Sequence, residues 1–142
     1  MLKILIAVDG SEHANRAIEA VAQLARASAQ LETILLCVSP EPIFYGNYTA
    51  ATIQKIEEDQ KKQQTTILAN AQEHAKALGL KVVDCVGAYG VIANEIVRTA
   101  EQRNVGQIAM GTRGMGAVGT MFLGSVAQRV IHQSPVPVLL AK

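Results

Sequence analysis

Cysteine and histidine are scarce in this sequence, and neither is spaced for chemistry. The two cysteines, Cys37 and Cys85, sit inside apolar runs with no C-x-x-C and no histidine beside them. They read as reduced core residues, since buried free cysteine behaves as a small hydrophobe. The three histidines, His13, His74 and His132, are scattered without metal-ligand spacing such as H-E-x-x-H. Excess charge is missing too: 13 Lys and Arg against 12 Asp and Glu leave a net charge of +1. That balance argues against a general nucleic-acid or acidic-membrane surface. The first apolar run, Ile4 to Val8, is cut by Asp9 and is too short for a secretory core or a membrane span. A cytoplasmic location is the expectation. No Gly-Lys-Ser/Thr occurs, which excludes a P-loop NTPase. No Ser-His-Asp, paired-carboxylate or lysine constellation stands out for catalysis.

What is present suits one domain spanning 1–142, since 142 residues with 49% apolar and 18% charged content can bury a core. No linker, repeat or low-complexity segment divides it. Short β-branched runs alternate with amphipathic stretches, the signature of an α/β fold with a parallel sheet. The expected strands are Lys3 to Asp9, Thr33 to Val38, Lys81 to Val86, Gln107 to Gly111 and Val136 to Ala141. Ser11 caps a first helix carrying Ala14, Ile18, Val21 and Leu24 at helical spacing. A long helix runs from about Thr49 to Leu78, with its charges on a solvated face. A turn bracketed by Gly87 and Gly90 leads to a helix over Val91 to Arg103, and a last helix runs from Ser125 to about Gln133. Pro135 and Pro137 mark the final strand as an edge.

The most informative tract is Met110 to Ser125, which holds five glycines, at 111, 114, 116, 119 and 124. Glycine is costly in regular structure, so this clustering implies backbone turned toward something. Bare amides can close on phosphate oxygens, and Ser125 stands where it would N-cap the following helix. The free N–H groups and dipole of that helix start favour an anion. Gly114-Met-Gly116-Ala-Val-Gly119 also spells G-x-G-x-x-G. The dinucleotide reading fails, because that fingerprint needs a later acidic residue for the ribose and no acid follows Glu101.

The spacing Gly111, Gly114, Gly124, Ser125 resembles the universal stress protein family in its nucleotide-binding branch, whose pattern is G-x2-G-x9-G-(S/T). Ile4-Leu5-Ile6-Ala7-Val8-Asp9-Gly10-Ser11 is similar to the family's opening strand and turn, and Ser134-Pro135-Val136-Pro137-Val138-Leu139-Leu140 to its closing strand. Val105-Gly106-Gln107 departs from the family's usual small residue, Asp and apolar residue. The resemblance implies an open, doubly wound, Rossmann-like five-stranded parallel sheet in the order 3-2-1-4-5 with about four helices. That order brings Asp9 and the glycine tract together at the switch point, where open α/β sheets hold their ligands.

Carried over from the family, Ala7, Asp9 and Val38 would line an adenine and ribose pocket with Met110 beside them. Gly111, Gly114, Gly124, Ser125 and Val126 would hold phosphates and ribose. The ligand so implied is ATP, with or without Mg2+, and AMP or cyclic AMP remains open because backbone amides count phosphates poorly. Asp9 also suits a turn or cap before Gly-Ser. Arg113 either pairs with a terminal phosphate or points to solvent. The loop Phe44 to Tyr48 reads either as a cover over the pocket or as packing on the sheet edge, the latter favoured for Phe44. Three functions follow: an ATP-binding stress-response regulator with weak or no turnover, a slow Mg2+-dependent ATPase or self-phosphorylating enzyme, or a ligand-independent interaction module. The apolar, proline-guarded last strand suits a homodimer, and the resemblance points the same way.

Overall fold

The computed structural model describes residues 1–28, 30–114 and 123–142. Strands and helices alternate along the chain: β1 Leu2–Ala7, α1 Glu12–Ala27, β2 Leu31–Ser39, α2 Ala50–Ala77, β3 Val82–Tyr89, α3 Ile92–Gln102, β4 Gln107–Gly111, α4 Ser125–Gln133 and β5 Val138–Ala141. The five strands form one sheet in the order β3-β2-β1-β4-β5, and each pairing is parallel. The order therefore reverses between β1 and β4, as the family resemblance implies.

Both faces of the sheet are buried, which explains why the central strands read as nearly continuous apolar runs. Ile4, Ile6, Leu35 and Cys37 point to the face covered by α1 and α2, where Ile18, Val21, Ala71 and Ala75 meet them. Leu5, Ile34, Leu36, Ile108 and Met110 point to the opposite face, under Ala93, Ile96 and Ala100 of α3 and Ala127 and Val130 of α4. Alternate residues of one strand thus feed two cores, following the period of two of extended chain. Each fully buried Ile or Leu contributes about 1.5–3 kcal/mol.

Local chemistry sets the helix starts. Ser11 Oγ accepts from Ala14 N at 3.2 Å and starts α1, and Thr49 Oγ1 accepts from Thr52 N at 3.1 Å and starts α2. Gly106 N donates to Lys3 O at 2.9 Å, so the turn with the unusual Val105-Gly106-Gln107 sequence still delivers β4 beside β1.

Several boundaries move from their sequence-based positions. β1 ends at Ala7 rather than Asp9, because the chain turns away at Gly10, whose φ of +85° suits glycine. β3 runs on through Gly87 to Tyr89; Gly87 is a ladder residue opposite Cys37, not part of a turn. β5 begins at Val138, since the Ser134 hydroxyl donates to Val136 O at 2.7 Å and holds the prolines in a turn. As an outermost strand it occupies the edge that the prolines mark.

Candidate functional site

A cleft of about 580 Å³ opens at the switch point. Its floor is the C-terminal ends of β1, β2 and β4, and it is lined by all ten residues singled out in the sequence: Ala7, Asp9, Val38, Met110, Gly111, Arg113, Gly114, Gly124, Ser125 and Val126. Residues 115–122, with Gly116 and Gly119, fall outside the described residues.

Asp9 organises the β1 end of the cleft. Its Oδ1 accepts from Ser11 N at 2.9 Å, a turn that leads straight into the Ser11 cap of α1. Its Oδ2 lies against Gly114, occupying the place a side chain at 114 would take. The structural role considered for Asp9 is therefore real, and the same carboxylate faces the glycine loop. It is the one carboxylate, and Arg113 the one cation, among the described residues lining the cleft.

The β4 end is set by close backbone approach. A Cβ on Gly111 would stand 2.6 Å from His13 Cβ and 2.8 Å from the His13 carbonyl carbon, so α1 packs onto bare backbone there. Thr112, which sequence reasoning passed over, ties β5 and the start of α4 to the end of β4. Its N donates to Ala141 O at 2.8 Å, and its O accepts from Gly124 N at 2.7 Å. These are main-chain bonds, so no sequence signal pointed to them.

Gly124, not Ser125, is the N-cap of α4, in extended backbone with φ −67° and ψ 160°. Ser125 is instead the first helical residue. The consequence favours an anion site: a glycine N-cap brings no side-chain acceptor of its own to this helix start, so the cap residue does not take up the orphan amides of the first turn.

The far wall comes from α2, and its glutamines were absent from the sequence reading. Buried Gln64 shares the two N–H groups of Nε2 among three acceptors, Cys37 O at 3.1 Å, Ser39 Oγ at 3.0 Å and Ala88 O at 2.9 Å. One turn earlier, Gln60 Nε2 donates to Pro40 O at 2.6 Å. A polar residue on the inner face of an otherwise charged helix is the signal that could have found Gln64.

Cys37 is buried at the cleft floor, as the core reading expects. Burial, and secondarily the negative charge of Asp9, pushes its thiol from 9.0 up to about 11. The aromatic loop stands elsewhere: Phe44 meets Tyr48 edge to face at 5.4 Å and lines a second groove with Tyr89 and Glu57. Packing, not a cover over the cleft, is what the structure gives for Phe44. Among the described residues no cluster of three or more His, Cys, Asp or Glu could hold a metal ion, and no helix is long and apolar enough to cross a membrane.

An open α/β sheet with its cleft at the point of strand-order reversal defines the class of protein. The model of the universal stress protein family matches residues 1–142, and the chain belongs to that family. It is 36% identical over 146 residues to a universal stress protein of Thermus aquaticus, covering 98% of this chain and 97% of that one. It is 32% identical to universal stress protein YxiE of Bacillus subtilis, with 99% and 98% covered. Among solved structures, MJ0577, a protein of Methanocaldococcus jannaschii, superposes with a TM-score of 0.79 at 30% identity, over 99% of this chain and 95% of that one. UspA of Lactobacillus plantarum, at 17% identity, shares the fold with a TM-score of 0.84 over 99% and 97% of the two chains.

Proposed function

We propose that residues 1–142 form one adenine-nucleotide-binding domain, with ATP as its ligand, acting as a nucleotide-responsive regulator in the cytoplasm with little or no turnover. The observation that carries this reading is convergence on one cleft: the Gly111–Gly114 backbone, the α4 start without a side-chain cap and the open end of β2 at Val38. The first brings backbone close to a ligand without side chains in the way, and the second offers the N–H groups of the first turn of α4 to phosphates. Asp9 and Arg113 supply the charged groups, Asp9 toward a ribose and Arg113 toward a terminal phosphate.

Universal stress proteins of this fold are known in complex with cAMP and, from Archaeoglobus fulgidus, with dAMP. At 23% identity each is a likeness of fold, but both ligands are adenine nucleotides, the class this cleft suits. Mg2+ would arrive with the phosphates, and Asp9 is the one carboxylate that the described lining residues could offer it.

Weak turnover is inferred from the donor set. Hydrolysis calls for a positioned base, a metal-binding carboxylate or a cationic finger at the γ-phosphate, and the described lining offers Asp9, already accepting from Ser11 N, and Arg113. We further propose a homodimer formed through the outer edge of β5, which has no further strand beside it among the described residues. Calorimetric titration with ATP, AMP and cAMP, a phosphate-release assay with Mg2+, and light scattering test the three parts. Saturable ATP binding without multiple turnovers, on a particle of twice the chain mass, is the expected result. Steady Mg2+-dependent phosphate release would replace it with the slow ATPase reading.

A further inference from the structure

Resting on the nucleotide reading above, we propose that Gln64 is a positioning residue for the nucleobase: from α2 it stiffens the Cys37–Val38 peptide, whose Val38 N–H faces the cleft and selects adenine over guanine.

The direction of that peptide follows from the sheet. Along a strand, the main-chain groups of alternate residues face the same neighbour. Leu36 O accepts from Val8 N at 2.8 Å, so Leu36 faces β1. Val38 faces the same way but lies past the end of β1, which stops at Ala7. Cys37 and Ser39 face the other side; Ser39 O accepts from Gly90 N at 3.0 Å. Cys37 C=O and Val38 N–H are the two ends of one planar trans peptide and point in opposite directions. Gln64 Nε2 binds that carbonyl at 3.1 Å as a second donor beside the β2–β3 ladder in which Cys37 stands opposite Gly87, so it stiffens the peptide whose N–H lies on the cleft side.

The amide is itself held hard. It also reaches Ser39 Oγ and Ala88 O, spanning the ends of β2 and β3, and its carbonyl end lies against Gly87, where a Cβ would collide with it. Donation to Cys37 O also polarises the peptide and makes Val38 N–H a stronger donor. A fixed donor pairs with adenine, whose N1 is an acceptor. It opposes guanine, whose N1 carries a proton. A site built around one buried hydrogen bond rejects the ligand that leaves it unpaired, provided the group cannot swing aside.

The test uses the full chain and measures Kd for ATP and GTP by calorimetry in wild type, Gln64→Leu and Gly87→Ala, with circular dichroism and melting as fold controls. Gly87→Ala displaces the Gln64 amide from the opposite side and decides the matter should Gln64→Leu not fold. Wild type is expected to favour ATP over GTP. In each folded variant ATP binding should weaken roughly tenfold while the ATP-to-GTP preference narrows by a similar factor. A lower melting temperature with both the ATP Kd and the preference unchanged would mean a purely structural Gln64 and overturn the proposal. So would a wild type that binds both nucleotides equally. A wild type that binds neither overturns the nucleotide reading itself.

Discussion

Asp9 and Gly114 share one space: the carboxylate Oδ2 of Asp9 stands where any side chain at residue 114 would have to go. The contact joins the end of β1 to the loop after β4, the two strands between which the sheet order reverses. It gives the spacing of the glycine motif a steric reason, and it makes the loop the point at which the cleft can be altered without touching the core.

Gly114→Val should therefore remove ATP binding while leaving the fold intact. Residue 114 is exposed, so the added side chain disturbs the Asp9–loop contact rather than buried packing. A loss of roughly 100-fold or more in Kd is expected, about 2.7 kcal/mol, with an unchanged circular dichroism spectrum.

Asp9→Asn separates the two roles of Asp9. The amide oxygen can still accept from Ser11 N, so stability should stay within about 0.5 kcal/mol of wild type in urea unfolding. The negative charge is lost, and ATP affinity should change several-fold. A large drop in stability with unchanged affinity would reduce Asp9 to a turn former.

Ser11→Ala removes the acceptor for Ala14 N and should cost about 1 kcal/mol, read from the urea midpoint. Ile18→Ala empties a fully buried position on the same helix and should cost about 2–5 kcal/mol. The contrast between the two separates capping from packing within α1.

Cys37 predicts a pH dependence. Its thiol is raised in the folded protein from 9.0 to about 11, so the unfolded chain loses that proton first. The contribution is complete below pH 9 and is lost as pH rises through about 11. Two units correspond to about 2–3 kcal/mol. Stability of wild type relative to Cys37→Ala should fall across that window, and the thiol should resist alkylation at pH 8 in the folded state.

Much of this was legible in the residues. Alternating buried runs reveal β4 as Gln107–Gly111 and α4 as Ser125–Gln133, because period and turn chemistry are local. The motif glycines and Asp9 were legible for the same reason. What escaped is non-local: Gln64 reaches across to carbonyls in two strands, and Thr112 acts through its backbone. Gly87 looked like a turn former because glycine usually is one; its real constraint is the Gln64 amide beside it. Ser125 looked like a cap, but the cap falls at Gly124, where the tight bond to Thr112 O decides the geometry.

The most direct test of the account is to purify the protein without added nucleotide, denature it, and identify the released small molecules by mass spectrometry, with Gly114→Val in parallel. Adenine nucleotide from wild type and none from the folded variant is the predicted result. An empty wild type that also gives no heat on titration with ATP would contradict the account and leave a ligand-independent interaction module in its place.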